Sequence, residues 1–294
     1  MQTSFWRLIG LAIIAVFFMA LVPVTIKQIQ VDPWLVGFVR LAISVVGLYL
    51  IAKLLKQSVW SKKENWPAIM LIGFTFSIHW LSYFYSIQLS TASIAAIGVS
   101  TYGAHLLLLG WWFHGQKPTL FELSCVLLAF VGVYFVLPEF DLKNDMTLGL
   151  LLGVLSGALY ACLPILHQKY RHINHQRRAF GQFFIAMWLF ALGLPFLPAA
   201  EFELSKEAIM GLVILGVLST LIGHSLWVKI STELNHVVTS IVYYLYVPIA
   251  MALSFFLLNE ELTANKLIGA GLVICANIAG IYYRYRHSKT TNHA

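Results

Sequence analysis

Apolar residues come in long blocks along this chain, separated by short polar stretches. A helix needs about 20 mostly apolar residues to cross about 30 Å of hydrocarbon, and ten blocks meet that length. They run Leu8–Ile26, Pro33–Ala52, Trp66–Ile87, Thr91–Phe113, Leu120–Leu137, Thr147–Leu166, Ala179–Pro198, Ala208–Val228, Val237–Leu258 and Lys266–Tyr283. Arg7 ahead of the first block has signal-peptide character, but nine further blocks follow, so it reads as a retained first span. Composition sharpens the picture. With 60% hydrophobic and 11% charged residues among 294 and a mean hydropathy of +0.80, the chain lacks the charged surface, about 25%, of a soluble domain. A soluble enzyme is excluded, and single segments of this length satisfy their own backbone in lipid only as α-helices.

The formal charge of +7 is explained by topology rather than by nucleic acid, because the bases sit in short loops between apolar blocks. With both termini placed inside the cell, only Lys27, Lys143, Lys206 and Lys266 fall outside and Arg40 falls within a span. The other lysines and arginines, Lys62 and Lys63 among them, fall inside. Most acids, including Asp32, Asp141, Glu201 and Glu260, fall outside. This asymmetry predicts a multi-pass protein of the inner (plasma) membrane with cytoplasmic termini. Cys125, Cys162 and Cys275 all lie within apolar blocks and read as small core residues without a disulfide framework.

The pattern repeats. Ala20-Leu21-Val22-Pro23 matches Ala161-Cys162-Leu163-Pro164, His79 matches His224, Leu89-Ser90 matches Leu234-Asn235, and Gly103 falls on Pro248, always about 141 to 145 residues on. A duplicated unit of five spans is the simplest reading, with residues 1–140 as the first half and 141–294 as the second. Because five is odd, the second unit enters the membrane from the opposite side, and the halves are inverted about an axis in the membrane plane.

These residues resemble the EamA-type ten-helix transporters of the drug/metabolite transporter superfamily over nearly the whole chain. The resemblance is clearest in the run from Ile214 to Thr220 (ILGVLST), in Pro248, in Asn259-Glu260-Glu261-Leu262-Thr263 and in the run from Leu267 to Leu272 (LIGAGL). The first half departs from the pattern, with Gly103 where the family usually has proline and Gln116 where it usually has glutamate. The resemblance implies an inner-membrane exporter working by alternating access, with a small-molecule substrate, a lipid bilayer as partner and no cofactor.

Charges inside the hydrocarbon are costly and therefore informative. Arg40 is the one basic residue deep in a span; it is a counter-charge for a substrate carboxylate or a structural group paired with a helix end or carbonyl. Glu122 lies near the inner end of span five, within reach of water and in a helix-end role. Three histidines sit well inside spans. On helical spacing His79 shares a face with Tyr83 and Ser86, His105 with Thr101, Tyr102 and Trp112, and His224 with Thr220 and Trp227. A buried phenol needs a partner, so Tyr83, Tyr102, Tyr243 and Tyr244 should face the bundle or a wet cavity. With Trp80 and the three histidines they form the candidate substrate-binding set. Trp111, Trp112 and Trp227 read as interface aromatics. Pro23, Pro164 and Pro248 interrupt spans one, six and nine and are candidate gating points. Gly149, Gly153 and Gly157 make a small-residue face on span six, for packing within the chain or against another copy, so monomer and homodimer both stay open. His167, Lys169, Arg171, His172, His175, Arg177 and Arg178 read as a solvated basic loop rather than a metal site.

These readings favour a secondary transporter of a small metabolite, most simply a neutral, zwitterionic or aromatic amino acid, because no Asp or Glu lies deep in a span to balance an organic cation. Export of other drugs or organic metabolites is the alternative. An intramembrane enzyme would need a nucleophile with a base, paired carboxylates or a metal motif, none of which is present in the sequence, and a channel would show non-saturating flux.

Overall fold

A computed structural model describes residues 5–60, 65–115, 117–137, 139–234 and 236–291. Lys62, Lys63, Gln116 and Asn235, on which parts of the sequence reading rest, lie outside the described residues. Ten helical units follow in order, and the described residues contain no strand. They are α1 (Phe5–Ile29), α2 (Pro33–Leu54), α3 (Trp66–Leu89), α4 in two pieces (Ala92–Val99 and Tyr102–His114) and α5 (Leu120–Phe135). The second set is α6 (Asp145–Lys169), α7 (His175–Ala191), α8 (Lys206–Ile214, continuing through Leu215–His224 and Ser225–Glu233), α9 (His236–Tyr243 and Tyr246–Leu258) and α10 (Ala264–Thr291). Nine of these, among the described residues, are long and apolar enough to cross a membrane. The tenth, α5, has 16 helical residues.

Local chemistry sets the ends. Asp32 accepts from the Trp34 amide at 2.8 Å with Pro33 opening α2, Asn144 and Asn174 cap α6 and α7 in the same way, and Thr119 with Glu122 forms a capping box at the start of α5. Gly115 (φ 65°) and Asn259 (φ 53°) close the second pieces of α4 and α9 in the left-handed conformation. These two stops are symmetry mates.

Packing follows the same exchange. α3 lies against α6 and α7, and correspondingly α8 lies against α1 and α2; α4 packs on α6 as α9 packs on α1. α2 pairs with α7, α4 with α9 and α5 with α10, each pair self-matching. Adding five to each helix number maps these pairs onto one another, as two inverted five-helix repeats require. Large apolar side chains such as Val46, Leu50, Leu127, Phe256 and Leu267 remain exposed on the outer face, where lipid covers them.

Several expectations change in three dimensions. Glu122 is 3% exposed rather than open to water: Arg284 of α10 binds it at 2.5 Å and also donates to the Leu107 carbonyl at 2.9 Å. His167 and Arg178 are buried rather than solvated, because α6 runs on to Lys169 and the Arg178 guanidinium donates to the His167 carbonyl at 2.6 Å, capping the helix end. Trp227 is buried against Tyr243 (ring centroids 5.4 Å) rather than at an interface, whereas Trp111 and Trp112 are exposed.

The small-residue face of α6 packs within the chain. A Cβ at Gly149 would meet the Ser90 backbone nitrogen at 2.8 Å, and one at Gly157 would meet the Val99 carbonyl at 2.8 Å, both on rigid backbone of the α3–α4 turn and α4. Gly149→Ala and Gly157→Ala should each lower stability by about 1–3 kcal/mol, seen as a lower thermal midpoint in detergent. Gly271→Ala, with open space around it, should hold or raise the midpoint, since alanine is the better helix former; equal midpoints for all three would reject this packing.

Candidate functional site

The helices are irregular where the bundle is hollow. Pro23 and Pro164 sit inside α1 and α6, and each proline deprives the carbonyl four residues back of its donor. Those residues, Met19 and Tyr160, both line one central cavity. In α9 the helix breaks at Tyr244 and Leu245, and Pro248 explains it, since Tyr244 stands four residues before the ring. Its mate α4 breaks at Ser100 and Thr101 without a proline. There side chains hold the break: Ser100 Oγ donates to the Ile97 carbonyl at 2.7 Å, Thr101 Oγ1 to Gly98 at 2.8 Å, and Asn277 Nδ2 to the Ser100 carbonyl at 3.2 Å. Gly103 is needed beside the break, because a Cβ there would collide with the Tyr244 hydroxyl and meet Asn277 Oδ1 at 2.8 Å.

α8 is irregular in another way. Leu215–His224 is a π-helix, and Thr220 Oγ1 donates to the Leu215 carbonyl at 2.8 Å while His224 Nδ1 reaches the Ser219 carbonyl at 2.9 Å, both five residues back. The sequence pattern carried no signal for this widened turn.

The cavity measures about 20 Å³ and is lined from both halves by Met19, Val22, Arg40, His79, Trp80, Tyr83, Phe84, Val99, Tyr160, His224, Tyr243 and Tyr246. His79, on α3, faces the Ser156 carbonyl at 3.0 Å. A carbonyl only accepts, so in His79 and in its mate His224 the proton resides on Nδ1, leaving Nε2 as an acceptor. Ser156 Oγ stands 2.8 Å from His79 Nδ1 and donates to the His79 carbonyl at 3.1 Å; it does not line the cavity, and the contact ties α6 to α3. Tyr83 and Tyr246 share a hydrogen bond between hydroxyls. Tyr243 gathers the rings: Tyr102 lies edge-on at 4.8 Å, Tyr160 at 5.1 Å and Tyr246 stacked at 5.5 Å.

Of the candidates from sequence, His79, Trp80, Tyr83, His224, Tyr243 and Arg40 line this cavity together. Tyr102 and Tyr244 stack on each other at 5.4 Å in the layer behind. His105 lies elsewhere, against Phe130 of α5 at 5.5 Å, because the break before Tyr102 turns that piece of α4 towards α5 and α10. Tyr160, Tyr246 and Thr220 were not singled out as site residues. Tyr160 could have been found from its place four residues before Pro164.

Arg40 is fully buried. Its Nε donates to Thr220 Oγ1 at 3.1 Å and its guanidinium carbon stands 4.1 Å from the centre of the Trp80 ring, so its neighbours are a hydroxyl and an aromatic face rather than a helix end or a carbonyl.

Two further spaces flank the centre. Towards the end that bears the termini, a space lined by Pro164, His167, Gln182, Trp227 and Ser231 shares Tyr160 and His224 with the cavity. At the opposite end a polar vestibule lined by Lys27, Gln30, Asp32, Gln88 and Glu201 shares no lining residue with it. Burial, with the nearby Glu201 carboxylate adding, holds Asp32 above the usual carboxylate range. Below this vestibule the α3–α4 turn is clasped from both halves. Glu260 accepts from the Ala92 and Ser93 amides at 2.7 and 3.2 Å, while Lys27 donates to the carbonyls of Ile87, Gln88 and Ser90 at 3.2, 2.9 and 2.6 Å. Each charge sits at the helix end whose dipole favours it.

A bundle of crossing helices with inverted halves, enclosing an aromatic and polar cavity at its centre, defines a membrane transport protein. The chain belongs to the EamA-like transporter family, whose profile matches residues 6–137 and again residues 147–281. Two uncharacterized transporters are similar to it. YoaV of Bacillus subtilis is 20% identical over 256 residues, spanning 84% of this chain and 86% of its own. A transporter of Archaeoglobus fulgidus is 26% identical over 281 residues, spanning 92% of this chain and 84% of its own. A protein crystal structure shares the fold with a TM-score of 0.69 at 14% identity, covering 95% of this chain and 97% of that one.

Filling Gly103 should disturb the tyrosine layer. Gly103→Ala is expected to cost about 1–3 kcal/mol, measured by thermal unfolding in detergent, and adding Tyr244→Phe should restore more than half of the loss. A single variant as stable as the parent would contradict the close approach.

Proposed function

We propose that this protein is a secondary transporter that moves a small amino acid, neutral or aromatic, out of the cell across the inner membrane by alternating access. The observation that carries the reading is that His79 and His224, equivalent positions of the two halves, line one central cavity. A site made of equivalent elements from inverted repeats lets the halves exchange conformations around a bound solute. At about 20 Å³ the cavity is closed down to room for about one water, so a solute is admitted only when the halves move apart, as alternating access requires. His79, Trp80, Tyr83, His224 and Tyr243 are its wall, with Tyr102 and Tyr244 as the supporting layer. The halves are residues 1–140 and 141–294, and both termini are cytoplasmic. In that orientation the space beyond His224 leads inward, and the Glu260 and Lys27 clasp closes the outer side. Pro23, Pro164 and Pro248 are the bending points, since each lies where a helix has already lost a backbone bond.

Purified protein in proteoliposomes loaded with unlabelled amino acids should take up labelled aromatic or small neutral amino acids by saturable counterflow. His79→Ala and His224→Ala should each reduce the rate at least about tenfold, because they leave the Ser156 and Ser219 carbonyls respectively without a donor and remove a polar group from the cavity wall. Flux that fails to saturate would identify a channel instead, and undiminished counterflow in both folded variants would move the site elsewhere.

A further inference from the structure

Thr220 Oγ1 donates its hydroxyl hydrogen bond to the Leu215 carbonyl, so its oxygen is left as an acceptor for Arg40 Nε. One face of the guanidinium lies on Trp80, with Phe84 at 5.1 Å. Three groups from two helices, Thr220 of α8 and Trp80 and Phe84 of α3, thus fix the plane of the guanidinium and leave its charge without a counter-ion. Both terminal nitrogens, Nη1 and Nη2, lack a hydrogen-bond partner among the described residues. Arg40 lines the central cavity, and no Asp or Glu does. A guanidinium held in hydrocarbon with two empty donor nitrogens is costly. Its cost is offset when an anion arrives.

We propose that Nη1 and Nη2 of Arg40 receive the carboxylate of the transported solute end-on, and that the solutes are small monocarboxylates, zwitterionic amino acids included. This rests on the carrier reading of the same cavity. The geometry selects a carboxylate because two parallel N–H groups match its two oxygens, a match that the point charge of a lysine cannot make. The engaged Nε excludes the side-on approach. A zwitterion gains more than a simple acid, since the Nε2 acceptors of His79 and His224 and the tyrosine faces are available to its ammonium group. Cations without a carboxylate meet a fixed positive charge and are rejected. A dianion keeps a charge that two donors do not neutralise.

The test combines ligand-induced thermal shifts in detergent, which read binding alone, with competition in proteoliposome counterflow. The probes are L-phenylalanine and L-alanine, their carboxyl amides, benzoate, choline and inorganic phosphate. In the parent protein the amino acids should shift the midpoint and compete at least about tenfold better than their amides, benzoate should compete more weakly than phenylalanine, and choline and phosphate should not compete. Arg40→Lys should raise KM for the acids at least about tenfold while changing the maximal rate less, and Thr220→Val should give a smaller rise because the guanidinium persists with its plane released. Arg40→Gln should abolish the preference for acids over amides; if that variant does not fold, Arg40→Lys and Thr220→Val carry the test. Amides binding as well as acids, phosphate competing as well as phenylalanine, or an unchanged KM in folded Arg40→Lys would overturn the assignment. Binding with the expected selectivity in a protein that shows no counterflow would keep the Arg40 site and reject the carrier reading.

Discussion

A lipid bilayer supplies no hydrogen bonds, so any backbone carbonyl or charge that loses its partner within a span must find another inside the protein. The arrangement of this molecule follows from where it loses them. Pro23 and Pro164 each free a carbonyl beside the central cavity, α4 and α9 break at equivalent positions, and α8 widens into a π-helix against α1 and α2. Met19 and Tyr160, whose carbonyls the prolines free, both line the cavity, where polar side chains can meet irregular backbone.

The two halves solve this problem with different residues. The second half breaks α9 with Pro248, whereas the first breaks α4 with Ser100 and Thr101 hydroxyls and with Asn277 reaching across from α10. Gly103, in the place of the proline, gives the Tyr244 ring its room. The departure from the family pattern therefore keeps the break and changes what occupies the space beside it. A comparable division of labour holds the turn between α3 and α4, where Lys27 comes from α1 and Glu260 from the loop before α10. Closure at that end depends on both halves at once.

Charge is used sparingly and always with geometry. Glu122 and Arg284 pair between α5 and α10 while each also satisfies backbone groups, which is the condition under which a buried ion pair is tolerated. Arg178 closes the end of α6. Arg40 differs from both, being held by a hydroxyl and an aromatic ring that orient it without neutralising it.

The number of helical units, the α-helical class and the pairing of equivalent positions were legible in the chain, because span length, apolar composition and repeat spacing are local or periodic properties. So was much of the cavity wall: polar and aromatic residues deep in a span, such as His79, Trp80, Tyr83, His224 and Tyr243, must turn away from lipid whatever the fold. Which of them meet was decided only in three dimensions. His105 satisfies the same local argument as His79, yet a break four residues before it precedes a piece of α4 in which it lies against Phe130 of α5. Trp227 looks like an interface residue by position and is a wall behind Tyr243. The π-helix that brings Thr220 to Arg40 arises from packing between α2 and α8, where Ser44 also bonds the Gly216 carbonyl at 3.1 Å. No spacing rule anticipates a turn widened by its neighbour, because hydrophobic periodicity records which side of a helix is apolar and not which helix will lie against it.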